Sequence, residues 1–541
     1  MFVTCKILVM ENNSSKLGLI KKAFYIWAVQ YHFVIPKDIL KMYVHKFRHE
    51  SENISKYGQR FFDPSNEKDY KKWLTLQEYK KQDGLYTDIT FVGRNVSNLN
   101  ANGLAAVSMD TMNESRIHTP YTCLVGEGIH LYEPFFAYLN ECDCDVIYFD
   151  SDLYVNGERK SPKCKPDFSY YTLRGFNYIG NLVIVKTELL KQFDGKEVDI
   201  YRYLLELSDQ KIEWKHISKI VYGEAEDTFN VYPLKSYIDE HHISCKLMMH
   251  SDYAYLSYPV KEEPLVSIMI PTKDGVEDLK KCIDSIFDKS TYRNFEIIII
   301  DNNSEKEETF TYFKELQEKH DNVHVHALVI PFNFSIINNK AVEYSHGEYV
   351  VLMNNDTEVI TKDWLEKMLG YVQQENVGSV GVKLYYGDDS IQHGGIITGK
   401  GGGFAHRYYR KPHDEKGYMH TLDIPNDVAC CTAACLMVSK KKYLEVGGMN
   451  EELTVQFNDV DLGLKLLEHG YFNVFIPDVE LYHYESKSRG IDKDPKAVER
   501  FMSEVNYAKE NYAKWLVHDP FYNDNFDKNY DYMLIVGTGS N

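Results

Sequence analysis

Hydrophobic and polar positions alternate in a regular rhythm through the second half of the chain. Short continuous apolar runs, typical of strands buried on both faces of a parallel sheet, are separated by segments whose apolar residues recur at helical spacing. The predicted strands are "LVSIMIP", "NFEIIIIDNNS", "VHVHALVI" and "EYVVLMNNDTEVI", and the predicted helices are "GVEDLKKCIDSIFDKS", "EETFTYFKELQEKH" and "SIINNKAVEYSHG". This alternation predicts an α/β fold with a doubly wound sheet, in which ligands bind at the carboxyl ends of the strands.

Two prolines, Pro259 and Pro264, flank a charged run immediately before this rhythm begins. Such a stretch is typical of a linker, and a chain of 541 residues is longer than the roughly 250–300 at which one core stops growing. The sequence therefore predicts an N-terminal domain over 1–260 and a C-terminal domain over 264–490. Apolar residues at helical spacing in "PKAVERFMSEVNYAKENYAKWL" predict a helical extension over 491–541 that packs on the C-terminal domain.

The composition limits the classes of protein to which the chain can belong. Its net charge of −19 provides no overall basic field, which argues against nucleic acid as a main partner. The 10 cysteines lack zinc-ligand spacing and indicate reduced thiols, and no run of about 18 apolar residues could span a bilayer. The N-terminus lacks the pattern of a secretory signal. These features predict a cytoplasmic protein, compatible with peripheral contact at the inner face of the membrane.

Polar side chains cluster where three of the predicted strands end. They are Pro271 to Asp274 after the first strand, Asp301 to Asn303 after the second, and Asn354 to Asp356 after the fourth. Such residues commonly cap helices and turns, and that role is the ordinary alternative here. A carboxylate such as Asp356 at the end of an apolar strand can also hold a hard divalent cation that bridges phosphate oxygens.

Two other classes of nucleotide enzyme fit the sequence poorly. The turn after the first strand, "IPTKDGVEDL", has one glycine instead of the three of a dinucleotide-binding fingerprint, which disfavours hydride transfer. The later run "GKGGGF" lacks the Lys-Ser/Thr pair of a phosphate-binding loop. A nucleotidyltransferase would need a phosphate loop rich in glycine and basic residues, and no such loop is visible.

Seven blocks in the C-terminal half resemble the large inverting family of nucleotide-sugar glycosyltransferases that includes cellulose, chitin and hyaluronan synthases and bacterial rhamnosyltransferases. In order they are "VSIMIPTKDG", "FEIIIIDNNS", "FNFSIINNKAVEYSHGEYVVLMNNDTEV", "VGSVGVKLYYGDDSIQHGG", "TAACLMVSKKKYLEVGGMNEEL", "FNDVDLGLKLLEHGY" and "LYHYESKSRG". The resemblance implies a doubly wound mixed sheet of the GT-A type, a Rossmann-like fold for nucleotide-diphosphate sugars. It also implies a hexosyl- or rhamnosyltransferase of bacterial surface polysaccharide synthesis, with a glycan or lipid-linked saccharide as acceptor.

The resemblance assigns donor-binding roles to the strand ends. It implies that Asp301 contacts the base of the donor nucleotide and that Pro271, Thr272 and Asn339 line the same pocket. Asn354 stands at the first position of the family's Asp-x-Asp element, beside the donor, where the family pattern has a carboxylate.

The same resemblance assigns the metal and the base. Asp356 keeps the second carboxylate of the Asp-x-Asp element, and His483 matches a histidine that binds the metal, Mn²⁺ or Mg²⁺. Asp459, preceded by Asn458 where the family has an acid, matches the catalytic base. The ordinary alternatives are a helix-dipole role for Asp459 and a hydrogen-bonded polar role for His483.

Three further residues have no predicted role in the chemistry. His393 and His406 could line the sugar or acceptor cleft, and Trp364 could stack on a sugar. Trp364 lies within "DWLEKMLGYV", where core packing is the more ordinary role.

The N-terminal half contains a second, degenerate copy of this pattern, in which "GNLVIVKTELLKQFDG" lies over "AACLMVSKKKYLEVGG". Its segment "TCLVGEGIHL" lacks the metal carboxylates, Gly223 falls where the histidine would stand, and Glu197 or Asp199 is a candidate remnant of the base. These losses predict a non-catalytic GT-A-like domain. A metal site relocated to Asp150 and Asp152 is the alternative for this half.

A different class of function is also compatible with the sequence. Because Asn354 and Asn458 replace acids, the chain could be a non-catalytic glycan-binding or scaffold protein built from two degenerate transferase folds. Metal-dependent binding of a nucleoside diphosphate would distinguish the two classes.

Overall fold

A computed structural model describes residues 61–62, 67–75, 77, 79, 88–93, 105–108, 117–141, 143–190, 199–225, 230–484, 495–526 and 535–536. These residues form an α/β structure with two large mixed sheets, one in each half of the chain. Among the described residues, no helix has both the length and the apolar character needed to cross a bilayer. Eight described cysteines are free thiols, seven of them buried, as the sequence predicts.

The first half contains the shorter elements. The strands are β1 Phe61–Phe62, β2 Ile89–Gly93, β3 Ala105–Ser108, β4 Tyr121–Val125, β5 Ile129–Leu131, β6 Val146–Val155, β7 Glu158–Lys163, β8 Leu182–Lys186, β9 Trp214–Glu224, β10 Lys246–Met249 and β11 Ala254–Ser257. The helices are α1 Glu67–Leu74, α2 Tyr170–Leu173, α3 Thr187–Leu190, α4 Ile200–Ser208 and α5 Tyr232–Glu240, with a 3-10 segment at Glu133–Glu141.

The second half contains the predicted alternation. Its strands are β12 Val266–Thr272, β13 Phe295–Asp301, β14 Val323–Ala327, β15 Tyr349–Met353, β16 Thr357–Val359, β17 Val377–Tyr385, β18 Ile391–His393, β19 Ile396–Thr398, β20 Phe404–His406, β21 Asn426–Val428, β22 Cys435–Ser439, β23 Phe472–His483 and β24 Ile535–Val536. Its helices are α6 Val276–Lys289, α7 Glu307–Lys319, α8 Phe334–Tyr344, α9 Trp364–Val372, α10 Lys440–Glu445, α11 Asn458–Glu468, α12 Pro495–Asn511 and α13 Ala513–Val517.

The C-terminal sheet has the strand order β14-β13-β12-β15-β22-β17-β23-β16. The first four strands are parallel, and β22 runs antiparallel to both β15 and β17, so the sheet is mixed. Every residue of β13 is buried, which explains its continuous apolar sequence. The polar run at Asn354 to Asp356 divides the predicted fourth strand into β15 and β16.

The N-terminal sheet repeats this topology. Its order β3-β2-β4-β8-β6-β9-β5 has the same sequence of parallel and antiparallel neighbours as β13-β12-β15-β22-β17-β23-β16. The equivalence extends to single hydrogen bonds, because Gly126 N donates to Asn181 O as Asn354 N donates to Ala434 O. The predicted second copy of the fold is therefore present in the N-terminal half.

The two halves pack against each other through buried groups. Asp427 accepts hydrogen bonds from Ser169 Oγ (2.6 Å) and Tyr171 N (2.8 Å), and one hydrophobic cluster contains residues from both halves. Burial raises the pKa of Asp427 to about 7. Asn523, near the C-terminus, donates to Asp150 Oδ1 (3.0 Å). This contact ties the segment after α13 to the N-terminal sheet.

Candidate active site

A cavity of about 750 Å³ lies at the carboxyl ends of β12 and β15, where the fold places ligands. The start of α11 and a side chain of α12 form part of its wall. Six of the eight residues that the sequence assigns to the site line it: Pro271, Thr272, Asn354, Asp356, Asp459 and His483.

Asp356 and His483 face each other across the β16–β23 pairing. Thr357, next to Asp356, is the register partner of His483, and this brings Asp356 Oδ1 to 3.2 Å from His483 Nε2. His483 Nδ1 lies 2.7 Å from Gln392 Oε1, so Nδ1 carries the proton and donates it to the glutamine. The other ring nitrogen, Nε2, therefore faces the carboxylate. Two electron-pair donors at this separation fit a shared divalent cation.

The residues present fit a divalent ion with two protein ligands, Asp356 and His483. No group of three or more His, Cys, Asp or Glu side chains within the described ranges could hold a metal by itself. A cation at Asp356 and His483 would take its other ligands from substrate phosphate and water, as Mg²⁺ commonly does. The Gln392 contact is the type of outer partner that orients a metal-binding histidine.

Asn354 lies beside these candidate ligands. Its Nδ2 lies 3.1 Å from His483 Nε2. The neighbouring Asn355 donates from Nδ2 to Thr272 Oγ1 (2.9 Å), and this bond joins the ends of β12 and β15. The asparagines thus fix the geometry of the strand ends without adding negative charge.

Asp459 lies in the first turn of α11, on another wall of the cavity. Its Oδ2 accepts from Ala433 N (3.2 Å) and its Oδ1 accepts from Val460 N (2.9 Å), so the carboxylate is held by the backbone. Burial raises the pKa of Asp459, and hydrogen bonds from the Ala433 and Val460 amides and the Thr432 hydroxyl act in the opposite direction. A carboxylate with a raised pKa is a stronger proton acceptor than an exposed one.

Asp301 does not lie in the wall of this cavity. Its Oδ1 accepts from Ser304 N (3.0 Å), and the residue lines a separate surface groove with Phe310 and Val325. The next two residues of the strand end, Asn302 and Asn303, line the cavity instead.

Asn339 is also outside the cavity wall, and its side chain is fully used elsewhere. Its Nδ2 donates to Met449 O (2.9 Å), while its Oδ1 accepts from Tyr443 OH (2.6 Å) and Met449 N (3.0 Å). These bonds fasten α8 to the loop after α10. In this structure the residue joins two segments instead of lining a nucleotide pocket.

Several cavity residues were missed from the sequence. Gln392, Thr432, Ala433, Phe457 and Arg500 line the cavity. Gln392 directly precedes a histidine that the sequence did single out, but only its pairing with His483 shows its role. No local signal marks Ala433, because its contribution to the site is a backbone amide.

His406, His393 and Trp364 lie in three different environments. His406 lines the cavity, and its Nδ1 is 2.7 Å from His393 Nδ1. His393 is fully buried, and this burial lowers its pKa to about 3. Trp364 is fully buried and donates from Nε1 to Ser290 Oγ (2.8 Å), so it is a core residue.

The N-terminal counterpart of the site lacks the metal-binding groups. Because Ile129 pairs with Glu224 as Thr357 pairs with His483, the position of the histidine is occupied by Glu224 and not by Gly223. Glu224 Oε2 forms an ion pair with Lys163 Nζ (2.7 Å). The strand-end segment Gly126-Glu127-Gly128 replaces Asn354-Asn355-Asp356.

The acids proposed as alternatives in the N-terminal half have structural partners. Asp150 and Asp152 are fully buried. Asp150 accepts from the Lys165 amide (2.7 Å), and Asp152 accepts from Tyr132 OH (2.6 Å) and is paired with Arg159 (2.7 Å). These contacts do not support a relocated metal site.

Two residues of the N-terminal half are candidate remnants of the base. Asp199 caps α4 by accepting from Arg202 N (3.0 Å), and Glu197 lies outside the described residues.

Comparison with known proteins identifies the family of the C-terminal fold. Residues 267–443 match the family model described as "Glycosyl transferase family 2". The chain is 36% identical over 415 residues to "Uncharacterized protein y4gI" of Sinorhizobium fredii, covering 71% of this chain and 45% of that protein. It is 31% identical over 426 residues to "O-antigen biosynthesis protein RfbC" of Myxococcus xanthus, covering 73% of this chain and 32% of that protein. The chain thus spans less than half the length of these curated relatives.

A solved structure, described as "Crystal structure of GalNAc-T7 with UDP, GalNAc and Mn2+", is similar with 14% identity and a TM-score of 0.40, covering 49% of this chain and 51% of that one. The predicted α/β fold with a mixed sheet, preceded by a second sheet domain, is confirmed. The segment that the family model matches contains Pro271, Thr272, Asn354 and Asp356. The chain therefore carries a glycosyl transferase family 2 domain.

Proposed function

We propose that this chain is an inverting glycosyltransferase. It moves a sugar of hexose or rhamnose type from a nucleotide-diphosphate donor to a hydroxyl of a glycan or lipid-linked saccharide, in the synthesis of a bacterial surface polysaccharide. The observation that carries the proposal is the placement of Asp459 and the Asp356–His483 pair on the walls of one cavity. The name of the Myxococcus xanthus relative supports the polysaccharide assignment.

The proposed chemistry follows from the positions of the charged groups. An acceptor hydroxyl must lose its proton as it attacks the anomeric carbon, and Asp459 accepts that proton. Attack from the side opposite the departing nucleoside diphosphate inverts the anomeric configuration. Asp356 and His483 would hold a divalent ion, Mn²⁺ or Mg²⁺, which would stabilise the negative charge on the leaving diphosphate. Pro271, Thr272 and Asn354 bind the donor at the strand ends.

The proposal gives the two halves different tasks. The C-terminal domain, over 264–490, performs the transfer, the extension over 491–541 packs on it, and the N-terminal domain, over 1–260, is non-catalytic. The Lys163–Glu224 ion pair at the position of the metal ligand supports the last assignment, because an ammonium group there already neutralises the carboxylate.

The test combines binding and turnover. Binding of UDP, GDP and dTDP is measured by calorimetry with Mg²⁺, with Mn²⁺ and with a chelator, for the wild type, Asp356→Asn and the exposed control Asp414→Asn. At least one nucleotide should bind the wild type and the control in a metal-dependent way, and Asp356→Asn should lose that dependence. A panel of nucleotide sugars then identifies the donor by metal-dependent hydrolysis or transfer.

Binding that is equally strong with the chelator, or is unchanged in Asp356→Asn, would remove the metal assignment. If no nucleotide binds the wild type, the transferase proposal fails and the glycan-binding alternative takes its place.

A further inference from the structure

The C-terminal helix α12 inserts a carboxylate beneath a loop of the candidate active site. Glu504 is 3% exposed and accepts four hydrogen bonds from three consecutive residues. Its Oε1 accepts from Thr454 N (2.8 Å), Thr454 Oγ1 (2.7 Å) and Val455 N (3.0 Å), and its Oε2 accepts from Gln456 N (3.0 Å). Three backbone amides thus converge on one buried anion.

The loop held in this way leads directly to the candidate base. Val455, Gln456 and Phe457 line the cavity, and Asp459 follows in the first turn of α11. Phe457 has a φ of +62°, a left-handed conformation that is unfavourable for a residue with a side chain. Converging amides and a left-handed residue persist only when surrounding contacts compensate for them, and Glu504 supplies charge-assisted hydrogen bonds at this place.

The position of α12 is fixed by further contacts with α11 and its surroundings. Ala508 and Tyr512 pack in a hydrophobic cluster with Val460 and Leu464, and the Tyr512 hydroxyl donates to Asp461 in α11. Both helices lie outside the segment matched by the family model, which ends at residue 443.

A second side chain of the same helix reaches the cavity. Arg500 lies four residues before Glu504, hence on the same face of the helix, and it lines the cavity. The helix therefore contributes to the site both directly, through Arg500, and indirectly, through the loop that Glu504 holds.

We propose that Glu504 is a positioning residue of the active site. It fixes residues 454–457 so that the cavity wall and Asp459 have the orientation needed for proton transfer, and α12 is a required part of the site. This inference rests on the proposed function only for its catalytic consequence. The effect of Glu504 on the loop is measurable without any substrate.

The experiment compares Glu504→Gln and Glu504→Ala with Glu510→Gln, which removes the same charge at an exposed position of the same helix. In Glu504→Gln the side-chain NH2 group takes the place of Oε2. It faces the Gln456 N–H and cannot accept a hydrogen bond from it. Hydrogen exchange of the peptide containing 454–457 should become about tenfold faster, as expected when one charge-assisted hydrogen bond is lost. Glu504→Ala should exchange faster still, and Glu510→Gln should match the wild type.

Kinetics then separate positioning from folding. For Glu504→Gln we expect kcat to fall by about tenfold, which corresponds to the loss of the same hydrogen bond. Metal-dependent binding of the nucleoside diphosphate should change by less than about twofold. Binding is retained because Asp356, directly before β16, and His483, at the end of β23, are not part of this loop. Thermal unfolding of each variant reports the folded fraction, so that kcat is normalised to folded protein.

Two outcomes would overturn the inference. One is loop exchange in Glu504→Gln equal to that in Glu510→Gln. The other is a kcat that returns to the wild-type value once the folded fraction is taken into account, which would leave Glu504 with a structural role alone. If the wild type neither binds nucleotides nor transfers sugar, the proposed function fails, whereas the exchange data still decide whether Glu504 holds the loop.

Discussion

Replacing Asp459 with asparagine tests the proposed base most directly. The substitution preserves the shape of the side chain but removes its ability to take a proton. Loss of a positioned general base lowers turnover by roughly 10²–10⁴, which corresponds to about 3–5.5 kcal/mol of activation free energy. The metal-dependent affinity for the nucleoside diphosphate should remain, because the candidate metal ligands lie at the start of β16 and the end of β23 and not in α11.

The structure also limits what the same substitution does to stability. The side-chain oxygen of the asparagine can accept a hydrogen bond from Ala433 N or from Val460 N, but not from both. The side-chain NH2 group then faces the other backbone N–H. The mismatch costs about 1–3 kcal/mol. Burial raises the pKa of Asp459, so in the wild type its contribution to stability is present at low pH and is lost as pH rises through the folded-state pKa. At neutral pH the neutral asparagine avoids the cost of a buried charge, which offsets part of the mismatch.

The assay follows initial rates of sugar transfer with the donor identified in the nucleotide-sugar screen, over a range of pH. In the wild type kcat should fall as pH decreases through a value above the ordinary 3.8 of an aspartate, because only the ionised carboxylate accepts a proton. Asp459→Asn should lose both the rate and this pH dependence, and Asp414→Asn should retain both. Parallel losses of nucleotide binding and turnover in Asp459→Asn would refute the base assignment and make the residue structural.

Three further predictions concern residues around and away from the cavity. Gln392→Leu removes the acceptor that orients His483, so metal affinity measured by calorimetry should fall by about 10–100-fold, and unchanged affinity would disprove the orienting role. Asp152→Ala leaves the partly buried Arg159 without its carboxylate and the Tyr132 hydroxyl without its acceptor, so it should lower the free energy of unfolding by about 1–3 kcal/mol in denaturant titrations, with transfer by the folded protein nearly intact. Loss of transfer by a folded Asp152→Ala protein would indicate a second working site. Asn339→Ala should cost about 1–3 kcal/mol of stability and leave nucleotide affinity unchanged, whereas weaker binding in a fully folded protein would restore its assignment to the donor pocket.

The pattern of apolar residues predicted the strands and helices of the C-terminal half closely. Helix α6 begins and ends within one residue of its predicted segment, and strand β13 lies inside its segment, one residue from its start and three from its end. Both are well predicted because burial on one or both faces determines the spacing of their apolar residues. The repeated fold in the N-terminal half was also visible from sequence. Its exact register was not, since a shift of one residue separates Gly223 from Glu224 and only strand pairing distinguishes them.

The sequence alone determined the fold class, the strand ends that carry the polar residues, and the candidate roles of Asp356 and Asp459. Tertiary structure decided which of these residues share a cavity. Asn339 belongs to a recognised block, yet its hydrogen bonds to Met449 turn it away from the site, a contact between segments 110 residues apart. Glu504 and Gln392 are opposite cases, because the fold brings them into the site although the sequence did not place them there. Each acts on a distant segment through hydrogen bonds, which leave no local pattern in the sequence. Periodicity records how each element is buried, whereas a site is assembled from contacts across the sheet, and these are fixed only when the chain has folded.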